Sequence, residues 1–188
     1  IIKNTFDVCN DFLDRTTFMI NFYRRVPNYN FFRDFTDLNK ADVQSHAFFH
    51  CMMPSKRFNE MNIKIAEEII KKNGLYVSGF VAPEYFWYNN IADILEKRNY
   101  KNSNSLGFDY SNYPYNPVIN EKLYNYIELP VEPITYNKFI KFSNQKNKDN
   151  LNKDYFDYIE NKFNILGEPI CIYGHPGVEG RHPEILKQ

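Results

Sequence analysis

Residues 41–50 read Ala41-Asp42-Val43-Gln44-Ser45-His46-Ala47-Phe48-Phe49-His50. The first five residues predict a short strand, and His46 follows at the point where that strand gives way to a loop. Residues four apart on a helical turn have Cβ atoms roughly 5–6 Å apart, so His46 and His50 can reach one metal ion. The structural alternative is that His46 caps the strand and His50 packs at the start of a helix.

The segments around this stretch alternate between strand and helix patterns. Residues 16–22 are β-branched and aromatic and predict a buried strand, and residues 76–81 predict another. A helix is expected from about residue 57 to residue 73, ending before Gly74, with a second reaching about residue 99. The apolar spacing predicts the buried faces of these two helices: Phe58, Met61, Ile65 and Ile69 for the first, and Ile91, Ile94 and Leu95 for the second.

The later part of the chain continues the alternation. Residues 126–129 predict a strand ended by Pro130, residues 143–153 a polar surface loop, and residues 151–163 a long helix. Residues 169–173 are apolar and predict a buried strand that leads to His175. Strands separated by helices indicate a parallel sheet with functional groups at the carboxyl ends of its strands. The 188 residues are expected to form a single domain, 1–188.

The charge pattern excludes several classes of function. The 23 basic and 23 acidic side chains balance, so a nucleic-acid partner is not expected. No apolar run approaches the roughly 20 residues that cross a bilayer. Three cysteines without close spacing favour a reducing compartment, and a cytoplasmic location is expected unless a signal upstream of Ile1 directs secretion or a cell-envelope location. The oligomeric state is left open.

Ordered motifs along the chain resemble the polysaccharide deacetylase (NodB-homology, carbohydrate esterase family 4) superfamily. The resemblance rests on His46-x3-His50 after a strand, on a later strand that ends in a proline motif, and on a histidine motif near the C-terminus. A strand that resembles the second strand of that family comes first. These motifs are Thr16-Thr17-Phe18-Met19-Ile20, Gly79-Phe80-Val81-Ala82-Pro83 and Tyr173-Gly174-His175-Pro176, and residues 105–114 resemble the loop after the proline motif.

The resemblance implies an α/β fold, a distorted (β/α)7-type barrel of the NodB kind that lacks its first strand here. It implies a divalent metal, zinc in the first instance, held by His46, His50 and an aspartate from a Thr-Phe-Asp-Asp motif. Thr5-Phe6-Asp7-Val8 resembles that motif. Only about ten residues separate Asp7 from the strand at Thr17, too few for a crossover helix, so the aspartate pair is expected upstream of Ile1.

The implied activity is metal-dependent hydrolysis of the acyl amide of an N-acylated sugar, in a polysaccharide or a glycan precursor. A zinc-type ion acidifies its bound water toward a pKa of ~7 and polarises the acetyl carbonyl. By resemblance, His175 is the acid that protonates the leaving amine; the structural alternative is a histidine that caps the sheet through hydrogen bonds. The carbohydrate substrate is expected to contact a set of residues near the proline motif and the following loop: Pro83, Glu84, Phe86, Trp87, Tyr110 and Tyr113. The alternative for the aromatic rings of this set is packing in the core or within a loop.

Three positions depart from the family pattern. Val81 stands where the proline motif usually carries an arginine that orients the catalytic aspartate, and Ala47 replaces a common Ser or Thr. Glu84 replaces an aromatic residue and is either an electrostatic partner or a turn carboxylate. A non-catalytic carbohydrate-binding protein with an incomplete site is therefore the alternative function. A zincin-type protease is excluded because its H-E-x-x-H motif needs Glu where Ala47 stands.

Overall fold

The structure, a computed structural model, describes residues 16–20, 33, 41–106, 112–143, 148–167 and 169–173. These residues fall into two compact units. The sheet unit contains residues 16–20, 33, 41–105 and 114–129, and the helix-pair unit contains residues 106, 112–113, 130–143, 148–167 and 169–173. The expectation of one domain over residues 1–188 stays a prediction.

A five-stranded sheet carries the fold. The strands along the chain are β1 Thr16–Ile20, β2 Ala41–Ser45, β3 Val77–Val81, β4 Asn102–Leu106, β5 Val118–Ile119, β6 Lys122–Leu123 and β7 Ile127–Val131. Strands β1, β2, β3 and β4 are parallel where they pair, as the alternation of strands and helices predicts. The order in the sheet is β1-β2-β3-β4-β7, and β5 and β6 form a separate small antiparallel hairpin.

Two amphipathic helices build the core of the sheet unit. Helix α1, Lys56–Lys72, begins at Ser55, whose hydroxyl oxygen accepts the Phe58 N–H. It ends as predicted before Gly74, where the backbone takes a left-handed φ of 79°. Helix α2, Asn89–Lys97, packs against α1. The apolar side chains of both helices join strands β2 and β3 in one buried cluster that includes Val43, Ile63, Ile70, Phe80, Ile91, Ile94 and Leu95.

The buried face of α1 differs from the face that the sequence predicts. Met61, expected in the core, is 43% exposed. The face that packs inward instead carries Asn59, Asn62, Ile63, Ala66, Glu67 and Ile70. The prediction was wrong because it followed apolar spacing alone, whereas this helix buries two asparagines and a glutamate whose polar groups are hydrogen-bonded.

A single row of residues ties three strands of the sheet together. Gln44 of β2, Gly79 of β3 and Asn102 of β4 are register partners. The Gln44 side-chain amide donates to Asn102 Oδ1 at 3.0 Å, directly over Gly79. A Cβ at Gly79 would lie 2.1 Å from that oxygen, so the bridge requires glycine at this position.

The helix-pair unit contains two further helices. Helix α3 spans Tyr136–Phe142 and α4 spans Lys148–Leu166. Tyr136 and Tyr155 pack edge to face, with ring centroids 5.4 Å apart. The prediction of a surface loop over residues 143–153 was wrong from Lys148 onward, because Leu151 and Asn152 are buried on the first turns of α4.

The apolar run at residues 169–173 is also not the buried strand that the sequence predicts. No strand is assigned there, and Ile172 is 49% exposed. The segment receives one backbone hydrogen bond, from Glu132 N to Cys171 O at 2.7 Å. Apolar composition predicts burial only where a neighbouring element covers the segment. Within the described residues, no helix is long and apolar enough to span a bilayer.

Candidate metal centre

Strand β2 delivers His46 to the carboxyl edge of the sheet. His46 is the first residue after β2, and Val81 is the last residue of the parallel neighbour β3. His46 Nδ1 lies 2.8 Å from the carbonyl oxygen of Val81. A carbonyl can only accept, so Nδ1 carries the proton and the Nε2 of a neutral ring keeps its lone pair.

His50 reaches His46 through a loop rather than through a helical turn. Ala47, between them, is fully buried and left-handed with φ 60°, and residues 48–50 form a bend. The spacing argument assumed helical geometry and was wrong on that point. The two rings nevertheless meet at their Nε2 atoms, which are 3.1 Å apart, with ring centroids 4.9 Å apart.

A buried asparagine of α1 holds the loop that carries His50. Asn62 is completely buried, and its Oδ1 accepts the backbone N–H groups of Phe48 and Phe49 at 2.9 and 2.6 Å. Its amide donates to the carbonyl oxygens of Phe49 and Cys51 at 3.1 and 2.8 Å. The side chain of Asn62 therefore fixes the backbone on both sides of His50.

A second buried asparagine fixes the end of the same loop. The Asn59 side chain accepts from Met53 N at 2.9 Å and donates to Met53 O at 2.7 Å. Its amide also donates to Asn90 Oδ1 at 2.8 Å. Sequence reasoning missed both asparagines, although their spacing of three places them on one face of α1, and that spacing was the available signal.

The outer nitrogen of His50 faces a carboxylate. His50 Nδ1 lies 3.6 Å from Glu84 Oε1, so a His50 ring that bound a cation through Nε2 would direct its Nδ1 proton at this carboxylate. The unprotonated Nε2 of His46 can accept a hydrogen bond from His50 Nε2–H across 3.1 Å, and a metal cation that displaced this proton would bind both nitrogens. Two nitrogens that bind one zinc at about 2.0–2.1 Å can be at most about 4.2 Å apart, so this pair fits a shared ion.

The other predicted ligand and the predicted catalytic acid do not appear among the residues that the structure describes. No cluster of three or more His, Cys, Asp or Glu side chains with metal-binding geometry occurs in the part of the chain that the structure describes. Asp7 and His175 both lie outside those residues. Cys51, next to His50, is half-buried, and its carbonyl oxygen accepts a hydrogen bond from the Asn62 amide.

The predicted substrate-contacting residues have different surroundings. Pro83 is buried, and Glu84 is exposed and contacts His50. Phe86 is 61% exposed, whereas Trp87 is half-buried and packs against the core cluster. Tyr113 belongs to the helix-pair unit, where its hydroxyl donates to Gly167 O at 3.2 Å. Tyr110 lies outside the described residues.

Comparison with solved structures finds this arrangement of elements in several known proteins. A protein from Mycobacterium smegmatis assigned as a polysaccharide deacetylase superposes with a TM-score of 0.72 at 15% identity, over 98% of this chain and 68% of that one. The Puue allantoinase superposes with a TM-score of 0.69 at 13% identity, over 99% of this chain and 64% of that one. A CE4 family pseudoenzyme from Bacillus anthracis superposes with a TM-score of 0.50 at 12% identity, over 91% of this chain and 58% of that one.

This chain therefore spans between 58% and 68% of the length of these three proteins. No protein-family model matches it, and no curated protein matches it in sequence. The identities are low enough that the likeness concerns the fold. The α/β class, the parallel sheet and the NodB-like barrel architecture that the motifs predict are confirmed, and the chain has the fold of the polysaccharide deacetylases.

Proposed function

We propose that this chain is a metal-dependent hydrolase that removes an acetyl or other acyl group from an N-acylated sugar of a polysaccharide or glycan precursor. The observation that carries the proposal is the pair of Nε2 atoms of His46 and His50, 3.1 Å apart at the carboxyl edge of a parallel sheet. In parallel α/β folds this edge is where catalytic groups gather. The fold is that of the polysaccharide deacetylases, which supports the substrate class.

The donor set fits a divalent ion, which we propose is zinc. His46 and His50 would hold it, and the aspartate that the resemblance implies would complete the ligand set. When bound, such an ion supplies a Lewis acid for the acyl carbonyl and an acidified water. The Val81 carbonyl fixes the ring of His46, and Asn62 fixes the backbone of His50, so this chain contributes a preformed pair of ligands.

The other catalytic roles are proposals from the resemblance. His175 would donate a proton to the leaving amine. The exposed ring of Phe86 follows the proline motif and offers an apolar face on which a sugar ring can stack. Trp87 contributes less, because part of its surface is used against the core.

A non-catalytic carbohydrate-binding protein is the second candidate function. Val81 favours it, because the residue at the expected arginine position is a buried valine whose carbonyl, not its side chain, contacts His46. Without that arginine, a catalytic aspartate loses the group that would orient it. A CE4 family pseudoenzyme shares this fold, which is consistent with loss of activity on a retained scaffold.

Zinc content and acetate release test the proposal together. Elemental analysis should find close to one zinc per wild-type chain and none in the His46→Ala/His50→Ala double variant. Zinc content should fall as the pH is lowered, because protons compete for the imidazole nitrogens. An N-acetylglucosamine oligomer serves as the probe, and release of acetate should follow zinc content. Equal metal content in the two proteins would refute the site, and oligomer binding by the zinc-loaded chain without acetate release would favour the second candidate.

A further inference from the structure

The turn that follows β3 has an uncommon backbone. Pro83–Tyr85 forms a single 3-10 turn in which Glu84 has φ 53° and Tyr85 has φ 56°. Two consecutive residues other than glycine in the left-handed region are rare, because the Cβ atom crowds the backbone there. Such conformations persist only where the surrounding structure enforces them, and they concentrate at functional sites.

The backbone on both sides of Glu84 is anchored. Tyr85 N donates to Ala82 O at 2.9 Å, and Phe86 N donates to Pro83 O at 3.1 Å. Ala82 and Pro83 are buried. The carboxylate of Glu84 therefore projects from a fixed base, although the side chain itself is 66% exposed.

The anchored carboxylate is directed at one imidazole nitrogen. Glu84 Oε1 lies 3.6 Å from His50 Nδ1, and among the described residues this is the one cationic or imidazole group within 4.0 Å of it. An oxygen also lies behind the ring of His46, where Nδ1 makes a hydrogen bond to the carbonyl oxygen of Val81 at the shorter distance of 2.8 Å. Each ring thus has an acceptor behind it, and each turns its Nε2 toward the other ring.

We propose that Glu84 is a positioning residue for the metal centre. When His50 binds the ion through Nε2, the Glu84 carboxylate attracts the proton on Nδ1, which orients the ring and raises the electron density at Nε2. The inference rests on the proposed metal site and adds a residue to it. Carboxylates behind metal-binding histidines orient the ring and strengthen the ligand, and their removal weakens metal binding by roughly 10–100-fold.

The hairpin between β5 and β6 supplies a matched control. Glu121 is exposed and has φ 65°, so it shares with Glu84 both the side chain and the left-handed backbone. Zinc affinity is measured by competition with a chromophoric chelator for wild type, Glu84→Gln, Glu121→Gln and Glu84→Gly. Glu84→Gln should bind zinc about 10–100-fold more weakly than wild type, and Glu121→Gln should match wild type.

Glu84→Gly separates the carboxylate from the backbone conformation. Glycine adopts positive φ at no steric cost, so this variant should melt at or above the wild-type temperature while losing the same zinc affinity. A merely structural role for Glu84 predicts unchanged zinc affinity in Glu84→Gln. Binding by Glu84→Gln within twofold of wild type overturns the inference alone, whereas failure of the wild type to bind zinc overturns the proposed function and the inference with it.

Discussion

Replacement of Asn62 by alanine should destabilise the protein and weaken zinc binding together. The Asn62 side chain makes four hydrogen bonds to the loop backbone: two from N–H groups, at 2.9 and 2.6 Å, and two to carbonyl oxygens, at 3.1 and 2.8 Å. The N–H of Phe48 keeps a second partner, the carbonyl oxygen of Asn62 at 3.2 Å, and the carbonyl oxygen of Phe49 keeps the Cys51 N–H at 2.7 Å, so two backbone groups lose their partner. Each lost hydrogen bond contributes about 1 kcal/mol, and water reaches part of this loop. The free energy of unfolding is therefore expected to fall by roughly 2–4 kcal/mol.

Two other asparagines make the measurement interpretable. Asn73→Ala removes one amide bond, to Ile69 O at 2.8 Å, and should cost about 1 kcal/mol or less. Asn59→Ala removes a comparable buried network, but that network holds Met53 and Asn90 rather than the backbone beside His50. Its loss of stability should approach that of Asn62→Ala, with a smaller loss of zinc affinity.

Urea denaturation gives the free energy of unfolding of each variant, and chelator competition gives its zinc affinity under native conditions. If Asn62→Ala proves no less stable than Asn73→Ala, the hydrogen-bond argument is wrong. If Asn59→Ala and Asn62→Ala lose zinc affinity equally, the loss reflects general loosening rather than the position of His50.

Three further predictions concern other parts of the chain. Gly79→Ala should cost about 1–3 kcal/mol because the new Cβ would lie 2.1 Å from Asn102 Oδ1; an unchanged melting temperature would contradict this. The Tyr124 hydroxyl donates a hydrogen bond to Asp93 Oδ1 at 2.9 Å, and this bond is the main cause that lowers the pKa of the Asp93 carboxyl. The carboxylate therefore stabilises the fold at neutral pH, and this contribution is lost as the pH falls through the folded-state pKa. Tyr124→Phe should therefore cost under ~1 kcal/mol at neutral pH for this partly exposed group, and its deficit should shrink rather than grow in acid. His175→Ala should slow acetate release by about 10²–10⁴-fold with zinc binding retained, and full activity would exclude the acid role.

The regular elements around the site follow from local sequence. Strands β2 and β3 and helices α1 and α2 lie within a few residues of their predicted bounds, because apolar periodicity and stop signals such as Gly74 act over short distances. Strand β4 was not predicted, since Asn102-Ser103-Asn104-Ser105-Leu106 is polar, yet Ser103 and Asn104 are buried there. Its place in the sheet depends on register partners in β3, which local composition does not encode.

The same division applies to the proposed metal centre. Sequence spacing was enough to predict that two imidazoles following one strand could share an ion. Tertiary structure decided which nitrogen each ring presents, because the Val81 carbonyl that orients His46 lies 35 residues away and reaches it only through parallel pairing of β2 with β3. Glu84 comes from the turn after β3 and Asn62 from the buried face of α1. Hydrogen bonds between groups so distant in the chain leave no local periodicity, so only the packed structure specifies them.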